Sequence, residues 1–329
     1  MSYRIGSFNM CNFSLNAAFK RDLERIARII HKEKFDIIAM QEVLSEGALE
    51  YIKKELNKTA SDKNWDARWK LSEPRPKDNP YFRDTRHEGY AFLWDTKRFE
   101  LIPVSKGENP CILKSYHTIN GLSGTRLKHD PLYGRFREKR LGVELRLITA
   151  HIVYNVPKNG NAGAQENPVT MRQNEFNILA DIYNGYARVA DDVLNLQQNL
   201  RRNAPADPKP PVWYTILLGD YNLTLGTDIP PIVCFDARGR LLDETAVARR
   251  VIYTAQEKPT TVGKFSYVNN YDHFSHDKRV VNIVKGYERI DAVHRCCVSS
   301  SAQTEEEKFA DYRGSVSDHV PIAIEIDFK

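Results

Sequence analysis

Six apolar runs in this 329-residue chain meet, at one end, a residue able to hold a proton, a cation or an oxyanion. "RIGSFNM" reaches Asn9, "FDIIAMQEV" reaches Glu42 and "LRLITAHI" reaches His151. "LLGDYNL" carries Asp220 and Asn222, "NNYDHF" holds Asp272, and "SDHVPI" opens with Asp318 and His319. Taken singly, an Asp or Asn at a strand end usually makes a turn, and a lone His among apolar residues is usually a hydrogen-bonded core residue. Recurrence changes that reading. The set holds carboxylates, amides and imidazoles without a thiolate, which suits a hard cation (Mg2+, Mn2+ or Ca2+) on ligands such as Glu42 and leaves the histidines for proton transfer. Phosphoryl chemistry uses this combination: a cation against developing charge, a group that activates water, and donors for the nonbridging oxygens. Residues two apart on a strand share a face, so Asp220 and Asn222 are expected to project together from the end of "VWYTILLGD".

The elements that must position these groups follow from periodicity. Tyr3 to Phe8 alternates as a strand, and 16–34 places Phe19, Leu23, Ile26 and Ile30 at helical spacing. Residues 35–40 form a short apolar strand, and Ser45 caps a second helix through about Leu56. "GYAFLW" and "FELIPV" around "DTKR" predict a hairpin, while 72–88 reads as an exposed loop. Further strands are expected at 131–136, 143–152 and 319–328 and in "NNYDHFSH" and "RVVNIVKGYERIDAVHRC", with a helix from about Val169 to Leu200. Residues 224–258 follow no clear pattern, and 105–128 and 155–211 read as insertions. Short strands with few helices and no strict βα alternation predict an α+β architecture of mostly antiparallel sheets covered by helices, as one domain over 1–329.

Composition narrows the class. With 41% hydrophobic and 28% charged residues the chain is globular, and no apolar run approaches the roughly 18 residues of a membrane span. The start "MSYRIGSFNM" lacks a signal-peptide layout, so a cytoplasmic location is expected for the chain as given, or a secreted one if a leader was removed. Five cysteines without CxxC spacing indicate neither a zinc knuckle nor a disulfide framework. A net charge of +5 permits a polyanionic partner without demanding one. Trp65, Trp69, Trp94 and Trp213 read as core residues, and the basic clusters at 135–140, 201–202, 249–250 and 278–279 as solvated turns.

In order, "SFNMCNF", "DIIAMQEV", "EGYAFLWDTKRFEL", "TAHI", "LLGDYNL", "TTVGKFSYVNNYDHF" and "SDHVPI" resemble the endonuclease/exonuclease/phosphatase superfamily, and most of all its deoxyribonuclease I-like branch. The resemblance implies a four-layer sandwich, two packed mixed sheets flanked by helices, with the site at one edge. It implies that Glu42 is the principal Mg2+ ligand, with Asn9 and Asp318 beside it and Mn2+ or Ca2+ able to substitute or assist. Asp220 would orient or activate water, and Asn222 and Tyr90 would hold the phosphate. His319 would be the general acid/base, steadied by Asp272, and His151 a donor oriented by Glu88. A carboxylate on one imidazole nitrogen fixes which nitrogen takes the proton. Asp291 in "ERIDAVHRC" is the competing partner for His319.

One departure stands out. Where the branch carries an arginine, "HDPLYGRF" has His129, so a permanent phosphate clamp becomes titratable, with Lys128 or Arg126 as substitutes. The expected function is metal-dependent hydrolysis of DNA backbone phosphodiesters with little sequence preference. The alternatives are RNA, inositol phosphates or sphingomyelin on the same fold, and an inactive DNA-binding scaffold. No membrane partner is expected, because the sequence contains no hydrophobic hairpin for entering a bilayer.

Overall fold

Strand alternation between two apolar environments builds the layers of this protein. The computed structural model describes residues 2–15, 21–59, 62–72, 87–104, 110–113, 127–152, 167–201, 212–235, 241–242, 250–296 and 304–328. In chain order come β1 (Ser2–Phe13), α1 (Leu23–Lys32), β2 (Ile37–Val43), α2 (Glu46–Thr59), β3 (Trp65–Ser72), β4 (Glu88–Asp95) and β5 (Phe99–Leu101). β6 (Cys111–Ile112), β7 (Leu132–Glu138), β8 (Glu144–His151), α3 (Pro168–Arg201), β9 (Trp213–Asp220), β10 (Ile232–Phe235) and β11 (Leu241–Leu242) follow. The chain closes with β12 (Arg250–Ala255), β13 (Asp272–Asp277), α4 (Lys278–Val281), β14 (Val284–Arg289), α5 (Ala292–Arg295), α6 (Glu305–Ser315) and β15 (Ile322–Asp327).

One sheet runs β14-β15-β1-β2-β4-β3 and the other β11-β10-β12-β13-β9-β8-β7-β5, with β6 also on β7. Among the described residues, β1–β2 and β8–β9 pair in parallel, their connections passing through α1 and α3. The neighbours on either side of those pairs are antiparallel. Ile37 and Ala39 of β2 face inward with Ile5 and Phe92 against Leu147, Ile216 and Leu218 of the second sheet. Ile38 and Met40 turn the other way, onto Ile26 and Ile30 of α1 and Leu49 and Ile52 of α2. Ile148 and Leu217 pack outward on Phe176, Leu179 and Tyr183 of α3. Helices, sheet, sheet and helix thus form the four expected layers, each fully buried aliphatic or aromatic side chain contributing about 1.5–3 kcal/mol.

Local chemistry sets the helix limits. Asp22 Oδ1 accepts the Arg25 N–H at 2.8 Å and starts α1, so the expected helical stretch begins later, with Phe19 outside the described residues. Ser45 Oγ accepts the Ala48 N–H at 3.3 Å ahead of α2. The expected helix near 169–200 is α3, which supplies the outer layer on the second sheet.

Two expectations give way. The 89–104 hairpin does not form: β4 pairs with β2 and β3, whereas β5 crosses to β7 in the other sheet. Asp95 redirects the chain there, its Oδ1 accepting from Asn64 and Lys97 N–H groups while its own N–H goes to Asp36 O. In "RVVNIVKGYERIDAVHRC" only Val284–Arg289 is strand, because Asp277 accepts from Arg279 and Val280 N–H groups and caps α4, and α5 follows. α6 was not anticipated, although Thr304 and Glu307 form a capping box legible in "TEEE". Residues 224–258 contribute β10 to β12. Most of the 72–88 loop and of the 105–128 insertion lies outside the described residues.

Candidate active site

The inward-facing rows change from apolar to polar at one end of the sandwich. On β1, Tyr3 and Ile5 give way to Ser7 and Asn9, and on β2, Ile37 and Ala39 to Gln41. On β8, Leu145 and Leu147 lead to Thr149 and His151; on β9, Ile216 and Leu218 lead to Asp220. β4 and β13, read backwards, pass from Phe92 to Glu88 and from Phe274 to Asp272. Period-two geometry therefore delivers groups from six strands to one rim.

Two residues arrive by breaking the alternation. Glu42 shares parity with the helix-facing Ile38 and Met40, but its φ of 57° turns the chain at the end of β2. Asn222 lies beyond β9 with φ of 49°, its N–H donating to Asp220 Oδ1 at 2.8 Å. Asp220 and Asn222 thus meet through a side-chain-to-backbone turn, not through the expected strand face. Left-handed backbone at non-glycine residues costs on the order of 1–3 kcal/mol each and clusters at functional sites. Gly219, at φ of 146°, is needed for another reason: a Cβ there would lie 1.9 Å from Ala150 O. Only glycine lets β8 and β9 approach in the register that sets His151 opposite Asp220.

These groups line a cleft of about 950 Å³ that includes Glu42, His151, Asp220, Asn222, Asp318 and His319. His319 Nδ1 meets Asp272 Oδ2 at 2.7 Å, and His151 Nδ1 meets Glu88 Oε2 at 3.0 Å. Their Nε2 atoms stand 3.5 and 3.8 Å from the same oxygen, Asp220 Oδ2. Asn222 Nδ2 lies 3.3 Å from His151 Nε2. Burial disfavours the His151 cation, yet Glu88, Glu42 and Asp220 outweigh it and carry its pKa up to about 10. Burial likewise opposes the His319 cation, and Asp272 with Asp220 reverses that effect, holding it well above the usual histidine range. Burial pushes the Asp220 carboxyl upward, with His319 pulling the other way.

Asp291 is not the partner of His319. It accepts from Tyr267 Oη at 2.6 Å and pairs with His294 Nδ1 at 2.7 Å. Tyr90 does not reach the cleft: fully buried among core residues, its hydroxyl accepts the His151 N–H at 3.2 Å. Asn9 joins two carboxylates, donating from Nδ2 to Glu42 Oε1 at 3.1 Å and Asp220 Oδ2 at 2.9 Å, while its oxygen accepts the Cys11 N–H. That amide oxygen is thus turned to the backbone of its own segment, and the nitrogen to the carboxylates. Lys128 and His129 both line the cleft, whereas Arg126 lies outside the described residues.

The donor set suits a hard divalent ion. Glu42 keeps a fifth of its side chain exposed, with Oε2 accepting the Asn12 N–H at 2.8 Å. Ligand atoms of Asp220, Asp272 and His319 also lie within 4.8 Å of one another. In that group the short Nδ1 contact commits His319 to Asp272, which favours proton positioning over metal binding. Burial, with Asp318 and Glu42, pushes the nearby Cys11 thiol up to about 12.

Sequence reading missed several supports. Gln41 Nε2 spans the sheets to Thr149 Oγ1 at 2.8 Å and Ser7 Oγ at 3.0 Å. Ser317 Oγ donates to Asn9 O at 2.7 Å and accepts the His319 N–H at 3.1 Å. Each sits in a quoted motif, beside Glu42 or Asp318, and that adjacency was the available signal. Of the expected basic turns, Arg135 pairs with Glu144, Arg279 with Asp277, and exposed Arg137 with Glu100, while the side chains at 201–202 and 249–250 lie outside the described residues. Trp65, Trp94 and Trp213 are buried, and Trp69 is partly buried against the core.

Residues 6–319 match the model of the Endonuclease/Exonuclease/phosphatase family. A sequence comparison with curated proteins finds no match. Among solved structures, the chain is similar to an endonuclease/exonuclease/phosphatase family protein from Bacteroides thetaiotaomicron, with TM-score 0.52, 16% identity, and 100% of this chain and 98% of that one covered. It is similar to the mannosyl-6-phosphatase Bt3783 of Bacteroides thetaiotaomicron VPI-5482, with TM-score 0.51, 16% identity, and 99% and 100% covered. A D. rerio TDP2 complexed with single strand DNA product gives TM-score 0.47 and 14% identity, with 99% of each chain covered. Identities this low speak for the fold alone. Among the described residues no helix is long and apolar enough to cross a membrane. With a family match spanning nearly the whole sequence and the four-layer sandwich around that cleft, the chain belongs to the endonuclease/exonuclease/phosphatase family, whose members are hydrolases.

Proposed function

We propose that this protein is a divalent-cation-dependent phosphodiesterase that hydrolyses the DNA backbone as an endonuclease of low sequence preference. One observation carries the reading: two carboxylate–histidine pairs, Asp272–His319 and Glu88–His151, approach Asp220 Oδ2 with their free imidazole nitrogens at 3.5 and 3.8 Å. A phosphate seated over that oxygen meets proton donors on two sides and a base beneath it.

Glu42 and Asp318 would hold a Mg2+, which would supply charge neutralisation for the phosphoryl oxygens. Asp220, raised by burial, is suited to take the proton of the attacking water. As the water oxygen bonds to phosphorus and the bond to the leaving oxygen breaks, His319, held as imidazolium by Asp272, protonates the leaving oxygen. His151 and Asn222 donate to the nonbridging oxygens. The proton on Asp220 then returns to His319 across the 3.5 Å gap, which resets the site.

Lys128, His129 and Arg313 on the cleft lining favour a polyanion. The test is conversion of supercoiled plasmid to nicked and linear forms with Mg2+, Mn2+ or chelator, beside RNA, mannose 6-phosphate, inositol phosphates and sphingomyelin. Plasmid left intact while a monoester is hydrolysed would sink the DNA reading. Plasmid binding without hydrolysis under any divalent ion would make the protein a scaffold.

A further inference from the structure

Arg313 sits in the last turn of α6 and lines the cleft. Its helix is fixed in place by neighbouring residues. Arg25 Nη1 donates to Asp311 Oδ2 at 2.7 Å and to Ser315 Oγ at 2.9 Å, and Phe309 and Tyr312 are buried in the core. Every acid of the helix is engaged elsewhere: Glu305 with His294 and Lys308, Glu306 with Lys264, Glu307 with the Thr304 N–H, and Asp311 with Arg25. The positions three and four residues before Arg313 are Ala310 and Phe309, so helical spacing provides no carboxylate.

Among the described residues the Arg313 guanidinium therefore has no ion-pair partner. Its backbone is nonetheless tied down. Arg21 Nη1 donates to Arg313 O at 3.0 Å, and Arg21 Nη2 donates to Cys11 O at 2.7 Å. That bridge joins the arginine to the segment whose Asn12 N–H holds Glu42. An anchored backbone with an unengaged guanidinium on the cleft lining that also includes Glu42 and Asp318 suits an oxyanion brought by the substrate, because the planar fork matches phosphate geometry.

We infer that Arg313 binds a phosphate of the substrate strand next to the one being cleaved, and so selects a strand with several phosphates over a simple monoester or isolated diester. The inference rests on the nucleic-acid reading above. The scissile phosphate is already served by His151, Asn222 and His319 around Asp220, on strand ends; Arg313 projects from a helix outside that ring.

The experiment compares wild type, Arg313→Ala and Arg313→Lys on a single-stranded oligonucleotide and on the nitrophenyl ester of thymidine 5′-phosphate, which carries one phosphate. For Arg313→Ala, KM on the oligonucleotide is expected to rise about tenfold with a smaller change in kcat, as for loss of one charge-assisted contact. The loss in kcat/KM should exceed that on the ester by about the same factor. The slope of log KM against log salt should fall by about 0.7, one single-strand phosphate contact, and Arg313→Lys should restore the slope but only part of KM. Equal losses on both substrates, or an unchanged oligonucleotide KM, would overturn the assignment while leaving DNA cleavage intact. A wild type that cleaves the ester but no oligonucleotide overturns the nucleic-acid reading, and this inference with it.

Discussion

Asp272 Oδ2 lies 2.7 Å from His319 Nδ1 across 47 residues of sequence, and β13–β9 pairing sets Asp272 directly beside Asp220. The carboxylate is fully buried, so its charge acts on the imidazole with little screening. Asp272→Asn is expected to lower kcat by about 10²–10⁴-fold with KM changed little, because the amide no longer stabilises the imidazolium. Asp291→Asn, which disturbs only Tyr267 and His294, should stay within about threefold, the size of effect expected away from the reacting atoms. Steady-state kinetics of the two variants decide it; equal losses would remove Asp272 from its role.

The second pair should behave as a unit. His151→Ala and Glu88→Gln each remove one partner of the 3.0 Å contact, and Glu88 Oε1 also accepts the Glu42 N–H at 2.6 Å. The double variant is expected to be no slower than His151→Ala by more than about threefold, since residues acting as one unit are not additive. Fully multiplicative losses in a double-mutant cycle would show that Glu88 acts on Glu42 alone.

Cation dependence should trace to Glu42. Chelation is expected to abolish hydrolysis, and Mg2+ or Mn2+ to restore it. Glu42→Gln should raise the metal concentration for half-maximal activity by about tenfold or more, since one anionic oxygen ligand is lost. A metal titration of activity gives the answer, and an unchanged midpoint would move the ion to other residues.

Gly219→Ala should be severe. Its Cβ would meet Ala150 O at 1.9 Å, a backbone atom that cannot move without parting β8 from β9. A loss of about 3 kcal/mol or more in urea unfolding is expected, with an aggregated or unfolded product as the extreme outcome. A native-like midpoint would show that the strands can separate.

Acid stability should depend on Glu144, which Arg135 and Arg146 contact at 2.6 Å through Nε. Burial alone raises this carboxyl, but the two arginines outweigh burial and hold it below its usual value. A depressed folded pKa stabilises above the unfolded value of about 4.3, and the contribution fades as pH falls through the folded value. Glu144→Gln should cost about 2–3 kcal/mol near neutrality and progressively less below that point. Wild-type and variant unfolding curves that stay parallel at every pH would contradict this.

Much of the site was legible in the sequence. Asn9, Glu42, His151, Asp220, Asp272 and His319 declared themselves because strand periodicity and its polar interruption are local, and a buried apolar run has little reason to end repeatedly in chemistry-bearing residues. Capping chemistry was local too, and α6 could have been read from Thr304 and Glu307.

What only the tertiary structure decided was partnership. The sequence favoured Asp272 over Asp291 as the neighbour of His319 without excluding the second; cross-strand pairing sets Asp272 beside Asp220, while Tyr267 and His294 take Asp291. Tyr90 could be assigned to the phosphate until its hydroxyl was found beneath the His151 backbone. The hairpin failed because β4 and β5 satisfy their hydrogen bonds in different sheets, a choice set by distant strands. Composition and period therefore named groups that meet at one cleft, but which carboxylate faces which imidazole depends on contacts between segments far apart in sequence, and only packing fixes those.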